Sequence, residues 1–346
     1  MAGIYRTIAY ELEAELGQMR LEGKLRLPSE DELCRKFSCS RQTVRSALDL
    51  MVDKGLIVKK RGSGSYISDK AKKKSNKVFL IVEDEDEYTN PDLIASLKPA
   101  LKKFGFDLTC ISTGASYDRE RDALSGVISA CPAAVLIEPI ADIIPNYNKP
   151  LLEAIHNKDI PVIYLFSSYA FPEHSVCIRE DDIEGVKTLV SYLKEKGHTD
   201  IACAFRLDDS RGLLRYKSFV DALHENGLHF EQQRAFFFSS KERREMLGGS
   251  EELLLKIARD VMKNASAILC QNDEIAYRLQ EILKKERRSD IEVVSFDNSY
   301  YASTASRITS LGHKSRDLIT AITDAVCRKG YVPAPIAWHI HIRNNA

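Results

Sequence analysis

Three short segments near the N-terminus combine arginine, glutamine, hydroxyl and glycine residues at telling spacings. Leu27-Pro28-Ser29-Glu30 is followed by Ser40-Arg41-Gln42-Thr43-Val44-Arg45, and then by Lys59-Lys60-Arg61-Gly62-Ser63-Gly64-Ser65-Tyr66. Arginine matches the O6/N7 edge of guanine and glutamine the N6/N7 edge of adenine, each through two hydrogen bonds. A cationic loop of small residues lets backbone approach phosphate or the minor groove. The candidate DNA-binding residues are Ser29, Glu30, Ser40, Arg41, Gln42, Thr43, Arg45, Arg61, Gly62, Ser63 and Gly64. A second chemistry lies further along. Apolar runs end at Glu83 to Tyr88, Glu138-Pro139, Ser167-Ser168-Tyr169, Arg206 to Asp209, Gln271-Asn272-Asp273-Glu274 and Asp297-Asn298. Carboxylates, amides, arginine and tyrosine together suit a small molecule rich in hydroxyls.

The elements that must position the first set are legible. Ser29 with Glu32 forms an S-x-x-E capping box, which starts a helix burying Leu33 and Phe37. The chain turns at Ser38-Cys39, and Ser40 caps a second helix with an inward stripe of Val44, Ala47, Leu48 and Met51. Its opposite side presents Arg41, Gln42 and Arg45 at the N-terminal end, where a recognition helix meets base edges. After Gly55, Leu56-Ile57-Val58 and Tyr66-Ile67 read as two short strands joined by the basic loop. Cys34 and Cys39 are spaced C-x4-C with no second pair and no nearby histidine, so they read as packing residues or free thiols and no metal site is expected.

The 346 residues suffice for two or three domains, and 44% hydrophobic with 29% charged residues describes a globular protein. Lys+Arg and Asp+Glu balance at 50 each, but unevenly: residues 1–77 hold 17 basic against 10 acidic, leaving 33 against 40. A basic head on an acidic body directs electrostatic attraction to DNA through the head. Eight scattered cysteines without a C-x-x-C pair suggest a reducing compartment. With no apolar run long enough for a bilayer and glutamates interrupting the first helix, the expected location is cytoplasmic, without a signal peptide or membrane partner.

Residues 69–77, rich in lysine and lacking periodicity, read as a basic linker between a head over 1–68 and a body over 78–346. In the body, apolar runs at 78–82, 106–111, 134–137, 161–165, 200–205, 267–270 and 291–296 alternate with amphipathic segments near 91–104, 117–130, 149–157, 182–196, 211–226, 250–263, 272–286 and 314–328. That alternation predicts parallel sheets covered by helices, and the strand number predicts two lobes. Ligands of such folds sit beyond the carboxyl ends of the strands. The polar strand ends are therefore the places to look.

Residues 3–68 resemble a GntR-type winged helix-turn-helix, with a leading helix from Ile4, the LPSE turn, the S-R-x-T-V-R helix and the R-G-x-G-x-Y wing. One departure is Asp31, where many members carry an arginine used on DNA; no base contact is carried over to it. Residues 77–343 resemble the effector domain of LacI-type repressors, which shares the periplasmic sugar-binding-protein fold. The matching segments are Gly197-His198-Thr199-Asp200-Ile201-Ala202, Arg215-Tyr216-Lys217-Ser218-Phe219, Ala267 to Ala276, and Ile291 to Asn298. The resemblance implies an α+β head followed by a two-lobed α/β body, with effector contacts at Arg215, Asn272 and Asp297. Joining these two types resembles the arabinose-repressor family of Gram-positive bacteria, which adds Tyr88, Glu138 and Asp182 as candidate effector residues. Trp338 is left as a packing residue.

The function expected is a sequence-specific repressor released from double-stranded operator DNA by a small sugar, L-arabinose or a related pentose. It would act as a homodimer, without a cofactor. Activation, or response to another sugar or a phosphosugar, is the alternative. An aminotransferase-fused regulator would need a longer body and a Schiff-base lysine motif, and a transport receptor would lack the DNA-binding head.

Overall fold

The computed structural model describes residues 4–21, 25–53, 55–60, 63–68, 75–86, 88–171, 175–328 and 330–343. The chain divides into two compact units, Met1–Lys74 and Ser75–Ala346.

In the first unit, α1 (Ile4–Leu21), α2 (Glu30–Phe37) and α3 (Arg41–Asp53) precede an antiparallel pair, β1 (Ile57–Lys60) and β2 (Gly64–Ile67). Periodicity explains the core. Ile8, Leu12 and Leu16 from α1 meet Leu33, Val44, Leu48, Met51, Ile57 and Ile67, with Phe37 half-buried beside them. The expected capping box forms: Ser29 Oγ accepts from the Glu32 N–H, and Glu32 accepts from the Ser29 N–H at 2.7 Å. Ser38 ends α2 in the left-handed region, φ 48°, which lets α3 start at once. Leu25 to Leu27 run alongside β2, with Leu27 N–H donating to Ser65 and Ile67 N–H to Leu25.

The second unit contains two sheets. Strands β3 (Ser75–Val82), β4 (Asp107–Ser112), β5 (Pro132–Ile137), β6 (Val162–Leu165) and β7 (Val176–Ile178) form a parallel sheet in the order β4-β3-β5-β6-β7. Helices α4 (Asn90–Lys103) and α12 (Ser315–Cys327) cover one face, α5 (Tyr117–Ala130) and α6 (Lys149–His156) the other. Coverage on both faces is why Val78 to Val82 is one unbroken apolar run.

The second sheet, in the order β13-β12-β11-β10-β8-β9, uses β8 (Ile201–Arg206), β9 (Ala235–Phe238), β10 (Ala267–Cys270), β11 (Glu292–Phe296), β12 (Thr309–Gly312) and β13 (His339–His341). Only β13 runs antiparallel. Helices α7 (Asp182–Glu195) and α8 (Ser210–Glu225) pack on one face. On the other lie α9 (Ser240–Leu247), α10 (Glu252–Asn264) and α11 (Asp273–Lys285).

The chain passes between the lobes three times: after β7, after β12 into α12, and back to β13. Two of these crossings are stitched together, with Asp181 N–H donating to Ile336 and Ile336 N–H to Arg179, at 2.9 and 2.8 Å.

The structure departs from the sequence reading in places with local causes. Ser75 to Lys77 are not linker: β3 already pairs there, and Asn76 Nδ2 donates to Asp107 Oδ2 at 2.7 Å. Residues 69–74 lie outside the described residues. The short strands β7, β9, β12 and β13 were not anticipated, because three or four residues carry no measurable period, and neither was α9, whose eight residues are mostly charged.

Asp209 caps α8 by accepting from the N–H groups of Arg211 and Gly212, so the helix starts hard against the end of β8. A Cβ at Gly212 would lie 1.7 Å from the Arg206 carbonyl oxygen. Gly212→Ala should therefore destabilise the body by about 3 kcal/mol, the upper end of overpacking penalties. Chemical denaturation of the full chain measures this.

Candidate DNA-binding and effector sites

In the head, α3 exposes Arg41, Gln42 and Arg45. Arg41 Nη2 lies 2.6 Å from Asp31 Oδ1, and Arg45 Nε 2.9 Å from Glu30 Oε2. Both acids stand in the first turn of α2. Exposed pairs of this kind stabilise little, so another anionic partner can replace the carboxylates at small cost. Asp31, the departure noted above, thus serves as a partner of Arg41. Ser29 is engaged in the capping box, while Ser40 Oγ bonds Thr43 Oγ1 at 2.8 Å and accepts from the Thr43 N–H. These hydroxyls position the helices, and Glu30 positions Arg45. In the wing, Ser63 Oγ meets the Tyr66 hydroxyl at 2.6 Å, and Gly64 at φ 106° makes the turn that a side chain would strain. Arg61 and Gly62 lie outside the described residues.

In the body, a cavity of about 270 Å³ opens at the carboxyl ends of strands from both sheets. Five of the six effector candidates, Tyr88, Glu138, Arg215, Asn272 and Asp297, line it; Asp182 does not. The carboxylate of Asp182 is occupied by Arg215, at 2.8 Å from Nε and 2.7 Å from Nη2. Arg215 is wholly buried, donates to the Gln271 carbonyl, and stacks 3.7 Å from the centroid of Phe296. Asp182 is accordingly a positioning residue. Asn272 spends its side-chain oxygen capping α11 through the Ile275 N–H.

The Tyr88 hydroxyl donates to Asp297 Oδ2 at 2.5 Å and accepts from the Asp273 N–H, tying the two lobes. Burial and the charges of Asp297 and Asp273 hold this phenol far above its usual pKa, so it remains a donor. Glu138 is raised by burial, reinforced by Glu83 and opposed by Arg211, Arg206 and Arg243.

The cavity holds residues the candidate set lacked. Arg211 pairs with Glu180 at 3.0 Å and lies 5.3 Å over Phe166. Burial opposes its charge, but Glu180, Asp182 and Asp297 outweigh this and keep it protonated. Arg206 pairs with Asp209, and Arg243 reaches Glu83 at 3.1 Å and Glu274 at 3.2 Å. Arg211 could have been found, since it stands four residues before Arg215 on one helix face. Arg243 could not, because α9 was not recognised.

Four non-glycine residues of the wall, Tyr88, Phe166, Asp297 and Asn298, adopt positive φ of 56°, 67°, 99° and 49°. Such strain concentrates where a site needs particular side-chain directions. Trp338 lies outside the cavity and packs edge-on against Phe296 at 5.4 Å. Among the described residues no cluster of metal ligands occurs, and no helix is long and apolar enough to cross a membrane.

Fold and cavity define a winged helix-turn-helix unit and a two-lobed unit with a ligand-sized cavity, and comparison with known proteins places both. Residues 75–307 match the periplasmic binding proteins and sugar-binding domain of the LacI family, to which the chain belongs. Residues 4–67 match the bacterial regulatory proteins of the gntR family.

The arabinose metabolism transcriptional repressor of Halalkalibacterium halodurans is 27% identical over 83% of this chain and 79% of its own. That of Geobacillus stearothermophilus is also 27% identical, over 87% and 84%. A periplasmic binding protein/LacI transcriptional regulator from Alkaliphilus metalliredigens, solved with D-xylulofuranose, shares the fold. Its TM-score is 0.62 at 18% identity, over 78% of this chain and 99% of the other. The protein is a DNA-binding, sugar-responsive transcriptional repressor.

Removing the charge at Asp182 would leave the Arg215 guanidinium buried without its counter-ion. Asp182→Asn should cost about 3–5 kcal/mol, and the Asp182→Asn/Arg215→Met double variant should recover much of it. Denaturant midpoints of the wild type, the single variant and the double variant measure the difference.

Proposed function

We propose that the effector is a neutral monosaccharide, L-arabinose or a related pentose, whose binding releases a homodimer from an approximately palindromic operator. The cancelled charge of the cavity carries this reading. Arg206, Arg211, Arg215 and Arg243 each face a carboxylate of the protein itself. An anionic ligand would therefore have to displace an ion pair, whereas a polyol can add hydrogen bonds to groups already paired. The volume supports a small ligand, since about 270 Å³ falls just below the range of roughly 300–1,000 Å³ of pockets for drug-sized molecules. Glu138 supplies an acceptor: among the described residues its carboxylate has no protein hydrogen bond. Phe166 offers an apolar ring for the C–H side of a sugar. The two arabinose repressors similar over most of the chain support a pentose.

Tyr88, Glu138, Arg215, Asn272 and Asp297 are proposed as the effector wall, and Arg41, Gln42 and Arg45 as the base-reading surface. Two heads per dimer would meet successive major grooves. Thermal-shift screening against a panel of pentoses and hexoses tests the ligand, because selective binding raises apparent stability. L-arabinose or a close pentose should give the largest shift, and a panel without a pentose response would refute the reading.

Glu138→Gln should weaken binding of that sugar about tenfold, the loss of one charge-assisted hydrogen bond, while leaving operator affinity in place; calorimetry checks both. Arg41→Ala should cost about 1–3 kcal/mol of operator affinity with the sugar response of the body retained. Fluorescence anisotropy on operator DNA reads this, and unchanged affinity would remove Arg41 from the interface.

A further inference from the structure

Glu83 stands out among the acids that compensate the cavity arginines. It closes β3 in the first lobe, yet its carboxylate crosses the cleft to Arg243 on α9 of the second lobe, 3.1 Å away. Its side chain keeps 27% exposure, against 3% for Asp209 and Glu180 and 8% for Glu274. Asp209, Glu180 and Glu274 are thus buried within the fold. Asp208, 3.8 Å from Arg206, keeps 15%, so among the described residues Glu83 is the most open acid paired with a cavity arginine.

Its surroundings are those of an anion site held shut. Arg206, Arg211 and Arg243 all line the cavity from the second lobe, and all act on the charge of Glu138. They also act on one another, since burial, Arg243 and Arg211 bring the Arg206 pKa down to about 10 despite the nearby Asp208 and Glu83. Crowded guanidinium groups of this kind are the usual receivers of phosphate oxygens. Here Glu83 occupies Arg243 and sets a second negative charge beside Glu138, where an incoming phosphoryl group would be repelled.

We propose that Glu83 is the specificity residue that excludes phosphorylated sugars from this cavity and so confines the response to the neutral sugar. The inference rests on the reading of the cavity as the effector site. Neutralising Glu83 leaves Arg243 held by Glu274 at 3.2 Å, so the arginine stays in place with donors released. The first lobe loses one ion pair and gains an anion-receptive wall.

The test uses the full-length protein as wild type, Glu83→Gln, Glu83→Ala and Glu83→Gln/Arg243→Gln. Two substitutions at position 83 keep one misfolded variant from deciding, and melting temperature with operator binding verifies each fold. The probes are L-arabinose, inorganic phosphate and ribose 5-phosphate, read by thermal shift and calorimetry. Wild type should show no saturable response to phosphate or ribose 5-phosphate. Either variant at position 83 should gain affinity for ribose 5-phosphate by about tenfold or more, one charge-assisted contact, and Glu83→Gln/Arg243→Gln should lose that gain.

Wild type that binds ribose 5-phosphate as tightly as L-arabinose overturns the inference. So does a gain that survives loss of Arg243. No gain in any folded variant at position 83 also overturns it, while leaving the neutral-sugar reading intact. A gain of phosphate binding in a protein that ignores every neutral sugar upholds the role of Glu83 and refutes the neutral-sugar reading.

Discussion

A guanidinium with no access to water organises the second lobe. Arg215 draws together Asp182 at the start of α7, the Gln271 carbonyl beyond β10, and the ring of Phe296 at the end of β11. Moving such a charge out of water is expensive, and only close partners on every side offset it. The consequence spreads outward. Asp182 also approaches Arg211 at 3.8 Å, Arg211 holds Glu180, and Glu180 faces His313 at 3.5 Å. Burial of the first charge therefore leads to a chain of alternating charges that ends at Glu180, beside His313, whose imidazole burial holds toward the neutral form.

That chain explains why the cavity is strongly polar and yet not an open anion trap. Each arginine is held in direction by a carboxylate, which fixes where its remaining donors point. Preorganised donors lose little freedom when a hydroxyl arrives. The left-handed residues serve the same end: Phe166, with its N–H bonded to Ile178, and Asp297, with its N–H bonded to Leu311, are pinned by backbone hydrogen bonds of 2.7 and 2.6 Å. Their strain is offset by the sheets they terminate.

Much of this is legible in the sequence because the signals are long or chemically specific. The capping box of Ser29 and Glu32, the stripe from Val44 to Met51 and the buried runs such as Val78 to Val82 declare their elements by spacing alone. Tyr88, Glu138, Asn272 and Asp297 were reachable because parallel sheets bring strand ends together. Asp182 lies outside the cavity wall, because its partner Arg215 makes both contacts to one carboxylate oxygen, which a single sequence does not show. Arg243 was hidden by a helix whose eight residues, mostly charged, carry almost no apolar stripe. Glu180 and His313 were hidden because lobe crossings have neither period nor turn chemistry.

The lobes are already tied by bonds that the protein makes alone. Tyr88 reaches Asp297, Glu83 reaches Arg243, and the Ser210 N–H donates to Asp142 Oδ1 at 2.8 Å. A ligand shifts such an arrangement only by its differential affinity for the closed and open forms. With three ties built in, the sugar has to supply only the remainder, and couplings of roughly 1–3 kcal/mol are typical of allosteric proteins. Strand β3 runs from that cleft to the first residue of the body. Its carboxyl end leads into the cleft through Glu83, while its first residue, Ser75, is where the chain arrives from the DNA-binding unit and is fixed by its N–H to the Cys131 carbonyl at 3.1 Å. One strand of eight residues thus joins the effector wall to the point of attachment. A strand paired on both sides moves as a rigid part of its lobe, so any rotation of the first lobe about the stitched crossings displaces Ser75 with it. By linkage, whatever factor an effector applies to DNA affinity, DNA applies equally to effector affinity.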